Sequence, residues 1–514
     1  MGGGLIQLVA YGEQDIFLTS NPQVTYFKVT YRRYTNFSTE MIKQNFTKDP
    51  NFGTKTTCLL SKSGDLIKKI YFVVELPILP KIVDNNFNID ELTRIAWTKR
   101  LGYNMIRFAE IEIGTQIIDK QYGEWLSIWN EITTTPKKLR GILNMIGDRD
   151  ELTTFTNGKS SFKLYIPLQF WFCRETGLAL PISALQHSDV KINIELKDFD
   201  DCIIKSPTNY INLENSLVNY EPYEYIKQDI DGDIANGLFI NFDIETKRLY
   251  YIKFGKNSFQ GTPSTSANIF SDSSISKYKI IGETSQYEGT PQTGVEHIYT
   301  FNSRQLDNIF IRKAFLLVEY VFLDIDERLK FSNDKHEYQI DTLEYNGEKQ
   351  ITSSNQRLRL ALNHPTKELF YVANQDQYKD KYNYTNNFRN TIIKTMNGYK
   401  IGKPIGTNLI TNSAIIFNGQ ERISYRNSEY FNWIQNYQNH TSSNTEGINT
   451  YSFCLTPEKY QPSGSANLSR IDEVTLQVRL DNVINQNNIA KIRVYSIVSN
   501  RIKISNGILG KVFI

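Results

Sequence analysis

Cysteine and histidine are scarce, with four and five copies in 514 residues. Cys58, Cys173, Cys202 and Cys454 lie far apart and form no spaced framework, so reduced thiols in a cytoplasmic setting are expected rather than disulfides. None of His187, His297, His336, His364 and His440 lies within four residues of another histidine or a cysteine. No compact metal site is therefore written in the chain, and no metal is expected. Charge of one sign is missing too: 58 basic and 55 acidic groups leave a net +3. A dedicated nucleic-acid binder concentrates positive charge, so no direct sequence-specific nucleic-acid binding is expected. No apolar run reaches the roughly eighteen residues a bilayer needs. The longest candidate, Phe310 to Leu323, is broken by Arg312, Lys313 and Glu319.

The first residues, MGGGLIQLVAYG, carry neither a basic region nor a long apolar one, so no secretory signal is expected. Ile6 stands where a myristoylation signal needs a hydroxyl. Without a secretory route, the sequons at Asn36, Asn45, Asn383, Asn439 and Asn467 are chance products of an Asn- and Thr-rich chain. Phosphate loops of the GxxxxGK[ST] or GxGxxG kind are absent, as are HExxH and GxSxG. No catalytic, cofactor-binding or metal-binding residue is assigned, no cofactor is expected, and the chain is not read as an enzyme.

The remaining polar candidates have plainer readings. His364, between Asn363 and Pro365, is read as a histidine hydrogen-bonded in a turn, and His336-Glu337 likewise. Asp324, Asp326, Glu327 and Arg328 lack the donor spacing of a calcium loop and read as an ion-pair cluster. Arg32-Arg33 reads as a solvated strand end or an inter-chain salt bridge rather than a phosphate site. Arg470 and Asp472 are placed to pair within the chain or across an interface.

Aromatic residues are plentiful at 13%, with 31 Tyr and 29 Phe, so the chain is folded. Two domains are the natural division for 514 residues. Val474, Leu476, Val478 and Leu480 alternate with polar residues, the signature of a half-buried strand. Ahead of it lie the apolar run Tyr451 to Leu455 and a breaker segment with Pro457, Pro462 and Gly464. The same grammar occurs earlier. Leu164 to Cys173 is an apolar run, Gly177 and Pro181 break it, and Val190 to Leu196 alternates. One strand–loop–strand unit used twice implies two β domains of one kind.

The expected organisation is an arm over 1–20, a first jelly roll over 21–226, a linker over 227–237 and a second jelly roll over 238–514. Strands are expected at 23–31, 66–76, 105–113, 238–244, 248–254 and 310–323, the last bulged near Lys313 and Ala314. Helices are expected at 90–100, capped by Asp90, and at 121–133 and 139–146. Residues 255–294 read as a long exposed loop that tolerates insertion near Gly261. Phe170, Trp171 and Phe172 are read in a strand, where at least one must point away from its own core toward a neighbour. The absence of a βαβ rhythm excludes a parallel α/β fold, and an all-β double sandwich fits best.

Several long segments carry a resemblance. They are residues 2–38 (GGGLIQLVAYGEQDIFLTSNPQVTYFKVTYRRYTNFS), 170–190 (FWFCRETGLALPISALQHSDV), 336–344 (HEYQIDTLE), 363–372 (NHPTKELFYV), 417–422 (FNGQER) and 451–472 (YSFCLTPEKYQPSGSANLSRID). In these the chain resembles the major capsid proteins of nucleocytoplasmic large DNA viruses. The resemblance implies two tandem eight-stranded jelly rolls with short helices and long loops, and three copies forming a pseudo-hexameric capsomer. It also implies capsomers tiling an icosahedral virion shell above an internal membrane, after assembly in the host cytoplasm. Neighbouring capsomers, minor capsid proteins and penton proteins are the implied partners, with the N-terminal arm on the inner side and long loops on the outer. The alternative is a virion surface protein of sandwich fold that binds a receptor or glycan, which copy number per particle would separate.

Overall fold

Alternation fixes the strands. In Val190–Leu196 the residues Val190, Ile192, Ile194 and Leu196 are buried, while Lys191 and Glu195 are not. The protein is a computed structural model that describes residues 3–22, 33–83, 88–90, 92–263, 276–300, 303–376, 384, 390–395, 398–404, 406–442, 446–486 and 488–513. Sixteen strands build two antiparallel sandwiches. The first contains β1 (Phe37–Gln44), β2 (Lys55–Leu59), β3 (Leu66–Glu75), β4 (Ile106–Ile113), β5 (Gln116–Tyr122), β6 (Lys163–Pro167), β7 (Val190–Leu196) and β8 (Lys313–Leu323). The second contains β9 (His336–Ile351), β10 (Asn355–Leu360), β11 (Pro365–Gln375), β12 (Ile410–Phe417), β13 (Gln420–Asn427), β14 (Asn449–Ser452), β15 (Val474–Leu480) and β16 (Ala490–Ser505).

The first sandwich pairs its strands in the orders β1-β8-β3-β6 and β2-β7-β4-β5. The second pairs them β9-β16-β11-β14 and β10-β15-β12-β13. Adding eight to each label of the first sandwich gives the second. The repeated unit seen in the sequence is β6–β7 and β14–β15. Each sandwich holds its own core, one around Ile70, Phe72, Ile111, Ile192 and Val318, the other around Tyr371, Ile415, Leu476, Val478 and Ile492.

Strand topology divides the chain elsewhere than expected. Residues 227–237 are no linker but lie in the hairpin of Tyr225–Ile230 and Asp233–Asp243, turning at Asp231 and Gly232 with φ 54 and 94°. Their charges mark one exposed strand face: Lys227 and Asp229 are exposed, while Ile226 and Gln228 are buried. This hairpin belongs to a seven-stranded sheet spanning 209–298, inserted between β7 and β8. The insertion has a core of its own, with Ile211, Ile226, Phe239, Leu249 and Tyr251. Strand β8 then returns between β1 and β3, so the first sandwich ends at Leu323. A helix, Ile325–Asn333, leads to the second.

Other expectations also change. Ile95, Ala96 and Trp97 lie in a strand, Arg94–Trp97, paired with Ile203–Ser206, so 90–100 is not a helix. Asp90 does cap the backbone N–H groups of Leu92 and Thr93, but in a turn. The bulge in β8 falls at Glu319–Tyr320 rather than near Lys313. The described part of 255–294 is not a free loop, because strands Ile280–Gly282 and Glu288–Gly289 complete the inserted sheet. Gly261 is buried there, and a Cβ would meet Gln292 O at 1.9 Å, so an insertion at that point disrupts packing. The strand expected at 23–31 lies outside the described residues. Within 1–20, Gly3–Val9 and Glu13–Thr19 are short helices.

The helix expected at 121–133 is present as Gly123–Thr133. Gly123 is required, since a Cβ would sit 2.1 and 2.3 Å from the carbonyl oxygens of Tyr103 and Ile106. The helix expected at 139–146 runs Pro136–Ile146, from a proline in its first turn to a left-handed Gly147 at φ 84°.

Candidate assembly surfaces

The helix Gly123–Thr133 carries apolar residues at 125, 128, 129 and 132, one stripe of a 3.6-residue period. The stripe packs on the second sandwich, against the outer faces of β11 and β16. Trp125, Ile128, Trp129 and Ile132 are buried with Phe370, Val372, Tyr495 and Ile497. The Trp125 ring stands 5.0 Å from Phe370 and 5.8 Å from Tyr495. Charge is matched beneath this apolar seam. Arg493 on β16 has its Nε 2.5 Å from Glu124 Oε2 and donates from Nη1 to Glu348 (2.8 Å) and from Nη2 to Asn374 (2.7 Å). Tyr495 and Tyr384 donate their hydroxyls to Glu124 at 2.7 and 3.1 Å. Backbone ties extend the seam: Asp119 accepts from Leu343 N at 3.0 Å, and Arg174 donates to Asp341 O at 3.1 Å. The two sandwiches are thus locked by a helix whose apolar stripe was visible in the sequence and by an Arg493–Glu124 pair that was not. The signal was the helical stripe preceded by Glu124, with no indication of which sheet it would meet.

Other apolar groups face outward. On β1, Phe37 and Met41 are exposed. The helical segment Tyr430–Ile434, continuing as Gln435–Asn439, exposes Trp433, Ile434 and Tyr437. The aromatic triplet Phe170, Trp171 and Phe172 is not among these outward groups. A helical turn, Trp171–Arg174, replaces the expected strand and puts all three rings in the first core.

The polar residues considered from sequence are not brought together. His364 Nδ1 contacts Glu344, and His336 Nε2 lies 2.7 Å from Phe331 O. His297 stacks on Tyr210, and His187 is exposed. Asp324 caps the 325–333 helix, and Arg328 pairs with Asp65 of the first sandwich at 2.9 Å. Arg470 is exposed, and Asp472 offers its carbonyl to Arg359 at 3.4 Å. Arg32 lies outside the described residues, and Arg33 is exposed. None of the four cysteines is in a disulfide, and burial pushes the Cys58 thiol up to about 12. No group of three or more metal-ligating side chains occurs among the described residues. An open cleft of about 810 Å³ between the first sandwich and the insertion contains Asp90 and Asp243. Both already cap turns: Asp243 accepts from Thr246 and Glu245 N, which hold its carboxyl below the usual range.

One buried polar cluster was not anticipated. His440 lies with Nε2 2.8 Å from Glu368 and Nδ1 3.1 Å from Glu458, its side chain fully buried. Burial pushes the imidazole down, but the two carboxylates outweigh it and hold its pKa at about 9. The folded value exceeds the ordinary 6.5, so this stabilisation is full below about pH 6.5 and is lost as pH rises through 9. The thermal midpoint should therefore fall more between pH 6.5 and 9 in the natural chain than in E368Q/H440Q, which pairs neutral groups. Equal falls in a calorimetric pH series would refute this.

Residues 25–230 match the family described as major capsid protein N-terminus, and residues 327–510 match large eukaryotic DNA virus major capsid protein. Over 521 aligned positions the chain is 40% identical to probable capsid protein 4 of Acanthamoeba polyphaga mimivirus, covering 100% of this chain and 99% of that protein. The chain belongs to the major capsid proteins of large eukaryotic DNA viruses. Another member of this capsid family, the major capsid protein of Phaeocystis pouchetii virus, is 31% identical, covering 99% of each chain. The capsid-family fold is found in the solved PBCV-1 VP54 (TM-score 0.63, 22% identity, 95% of this chain and 100% of that one). It is found again in the Faustovirus major capsid protein (TM-score 0.65, 11% identity, 96% and 94%). The two family matches meet the two sandwiches, and the gap between them, 231–326, holds most of the insertion and β8. In a capsid protein the surfaces that matter are those that meet other subunits, and the exposed stripes on β1 and on 430–439 are candidates.

Proposed function

We propose that this chain is the repeating shell subunit of a virion, a structural protein without a catalytic role. Three copies close into a capsomer with six near-equivalent sides, and capsomers tile an icosahedral shell. The observation that carries this reading is the identical strand order of the two sandwiches, locked by one buried seam. A single rigid chain then offers two like sides, and three chains offer six. Intersubunit surfaces of this kind bury about 2,000 Å² or more when permanent. Contacts between capsomers are smaller and are multiplied by geometry.

The topology also suggests an orientation. Phe37 pairs with Leu323 at one end of β8, whereas the insertion enters β8 at Lys313. At about 3.3 Å per residue, roughly 30 Å separates the arm's end of the sandwich from the insertion's end. We therefore place the N-terminal arm on the inner side, toward the internal membrane and minor capsid proteins, and the inserted sheet outside. Penton proteins close the vertices, and assembly takes place in the host cytoplasm. Native mass of the purified chain tests the central claim: three times 59.6 kDa is expected. A chain that stays monomeric at every concentration would overturn it.

A further inference from the structure

We propose that the exposed face of the 430–439 helix docks on the outer face of the β1–β8–β3 sheet of a second copy, so that three such contacts close the ring. The inference rests on the trimeric reading above and names the surfaces that form it.

The helix 123–133 is the guide. It follows β5 and packs on the second sandwich of its own chain. The 430–439 helix follows β13, the counterpart of β5. The two segments align without a gap at a constant spacing of 305 residues, Glu124 onto Glu429 and Ile132 onto Tyr437. Leu126 and Phe431 occupy equivalent positions, and each is buried in the core of its own sandwich. Trp125 corresponds to Tyr430, which packs half-buried on its own core, and the rest of the stripe differs in exposure. Ile128, Trp129 and Ile132 are 1, 6 and 2% exposed, whereas their counterparts Trp433, Ile434 and Tyr437 are 54, 45 and 85% exposed. Within one chain the second helix has no third sandwich to cover it. A following copy supplies one.

The receiving face is found by the same equivalence. In the second sandwich the helix sits on outward residues of β9, β16 and β11: Leu343 and Tyr345, then Tyr495 and Ile497, then Phe370 and Val372. The corresponding strands β1, β8 and β3 are paired in the same order, with Met41 opposite Glu319 and Leu317 opposite Tyr71. Met41 is 44% exposed, and Leu317 and Tyr71 are half-buried. Charge is complementary. Glu124 meets Arg493 in the internal seam, and Glu429 takes its place on the exposed helix. The receiving face offers the exposed lysines Lys43 and Lys69, two cations against the one half-buried carboxylate between them, Glu319. A contact between unlike surfaces repeats head to tail and forms a closed ring when its rotation allows. Two aromatics and an isoleucine at its centre fit the anchors of a stable interface.

Native mass measured by light scattering tests this with two variants of exposed residues, W433D/Y437D on the helix and M41D/K43E on the sheet. Circular dichroism and a cooperative melt check that each stays folded. Each variant alone is expected at one third of the natural trimer's mass. An equimolar mixture is expected to give a two-chain species, because each variant still brings one intact face. A trimeric W433D/Y437D would overturn the docking surface and leave the trimeric capsomer standing. Monomeric variants whose mixture stays monomeric would overturn the pairing of these two faces. A monomeric natural chain would instead overturn the capsomer reading itself.

Discussion

Trp125→Ala is expected to lower the stability of the folded chain by about 3–5 kcal/mol, the cost of truncating a buried tryptophan. Trp125 is 2% exposed and contacts Trp129, Phe370 and Tyr495. A large cavity opens because its neighbours belong to two separately folded sandwiches and do not collapse together. The melt should also change shape. With its central ring gone, the seam no longer couples the two cores, and one transition should separate into two. The connecting helix 325–333 should become the first site of proteolysis. A variant that melts in one transition within about 1 kcal/mol of the natural chain would show that the seam is held by something else.

Much of this architecture was legible in the chain. The alternation in Val190–Leu196 and Val474–Leu480 identified β7 and β15, and their similar approach segments exposed the duplication. The stripe of Tyr122, Trp125, Trp129 and Ile132 identified the helix, though not the seam it fills. Periodicity states which side chains face inward, but not which sheet a strand joins. Strand β8 was visible as a strand and misplaced by a domain, because its partners β1 and β3 lie more than two hundred residues earlier. Short apolar runs were ambiguous for the reason that three consecutive buried residues fit either a strand or a helical turn. Ile95, Ala96 and Trp97 went one way, and Phe170, Trp171 and Phe172 the other. The buried pairs were the least legible. Arg493 reads as an exposed position between Ile492 and Val494, until the outer face of β16 is found covered by a helix from the other sandwich.

That covering is why Arg493→Ala should rival the tryptophan variant. Arg493 is 7% exposed and is the cation shared by Glu124 and Glu348, with Asn374 accepting from its Nη2. Taking it away leaves the Glu124 carboxylate, 12% exposed, without a cation, while Glu348 keeps Lys491 at 3.3 Å; stranding Glu124 costs about 3–5 kcal/mol. Arg493→Lys should recover only part of this, since an ammonium cannot serve three acceptors in the plane of a guanidinium. Removing both charges at the seam separates burial from pairing: E124Q/R493M replaces the pair with groups of similar volume and should be the mildest of the three. Acid provides a second readout. Burial pushes the Glu348 carboxyl up, but the Arg493 hydrogen bond and charge outweigh it and hold it below the usual range. A depressed carboxylate stabilises the fold above its unfolded pKa, and that contribution is lost as pH falls through the lower folded value. Without Arg493 only Lys491 holds Glu348 down, so the variant's deficit against the natural chain should be largest near neutral pH and shrink in acid. Chemical denaturation at pH 7 and in acid measures it, and a deficit independent of pH would mean that Arg493 acts through packing alone.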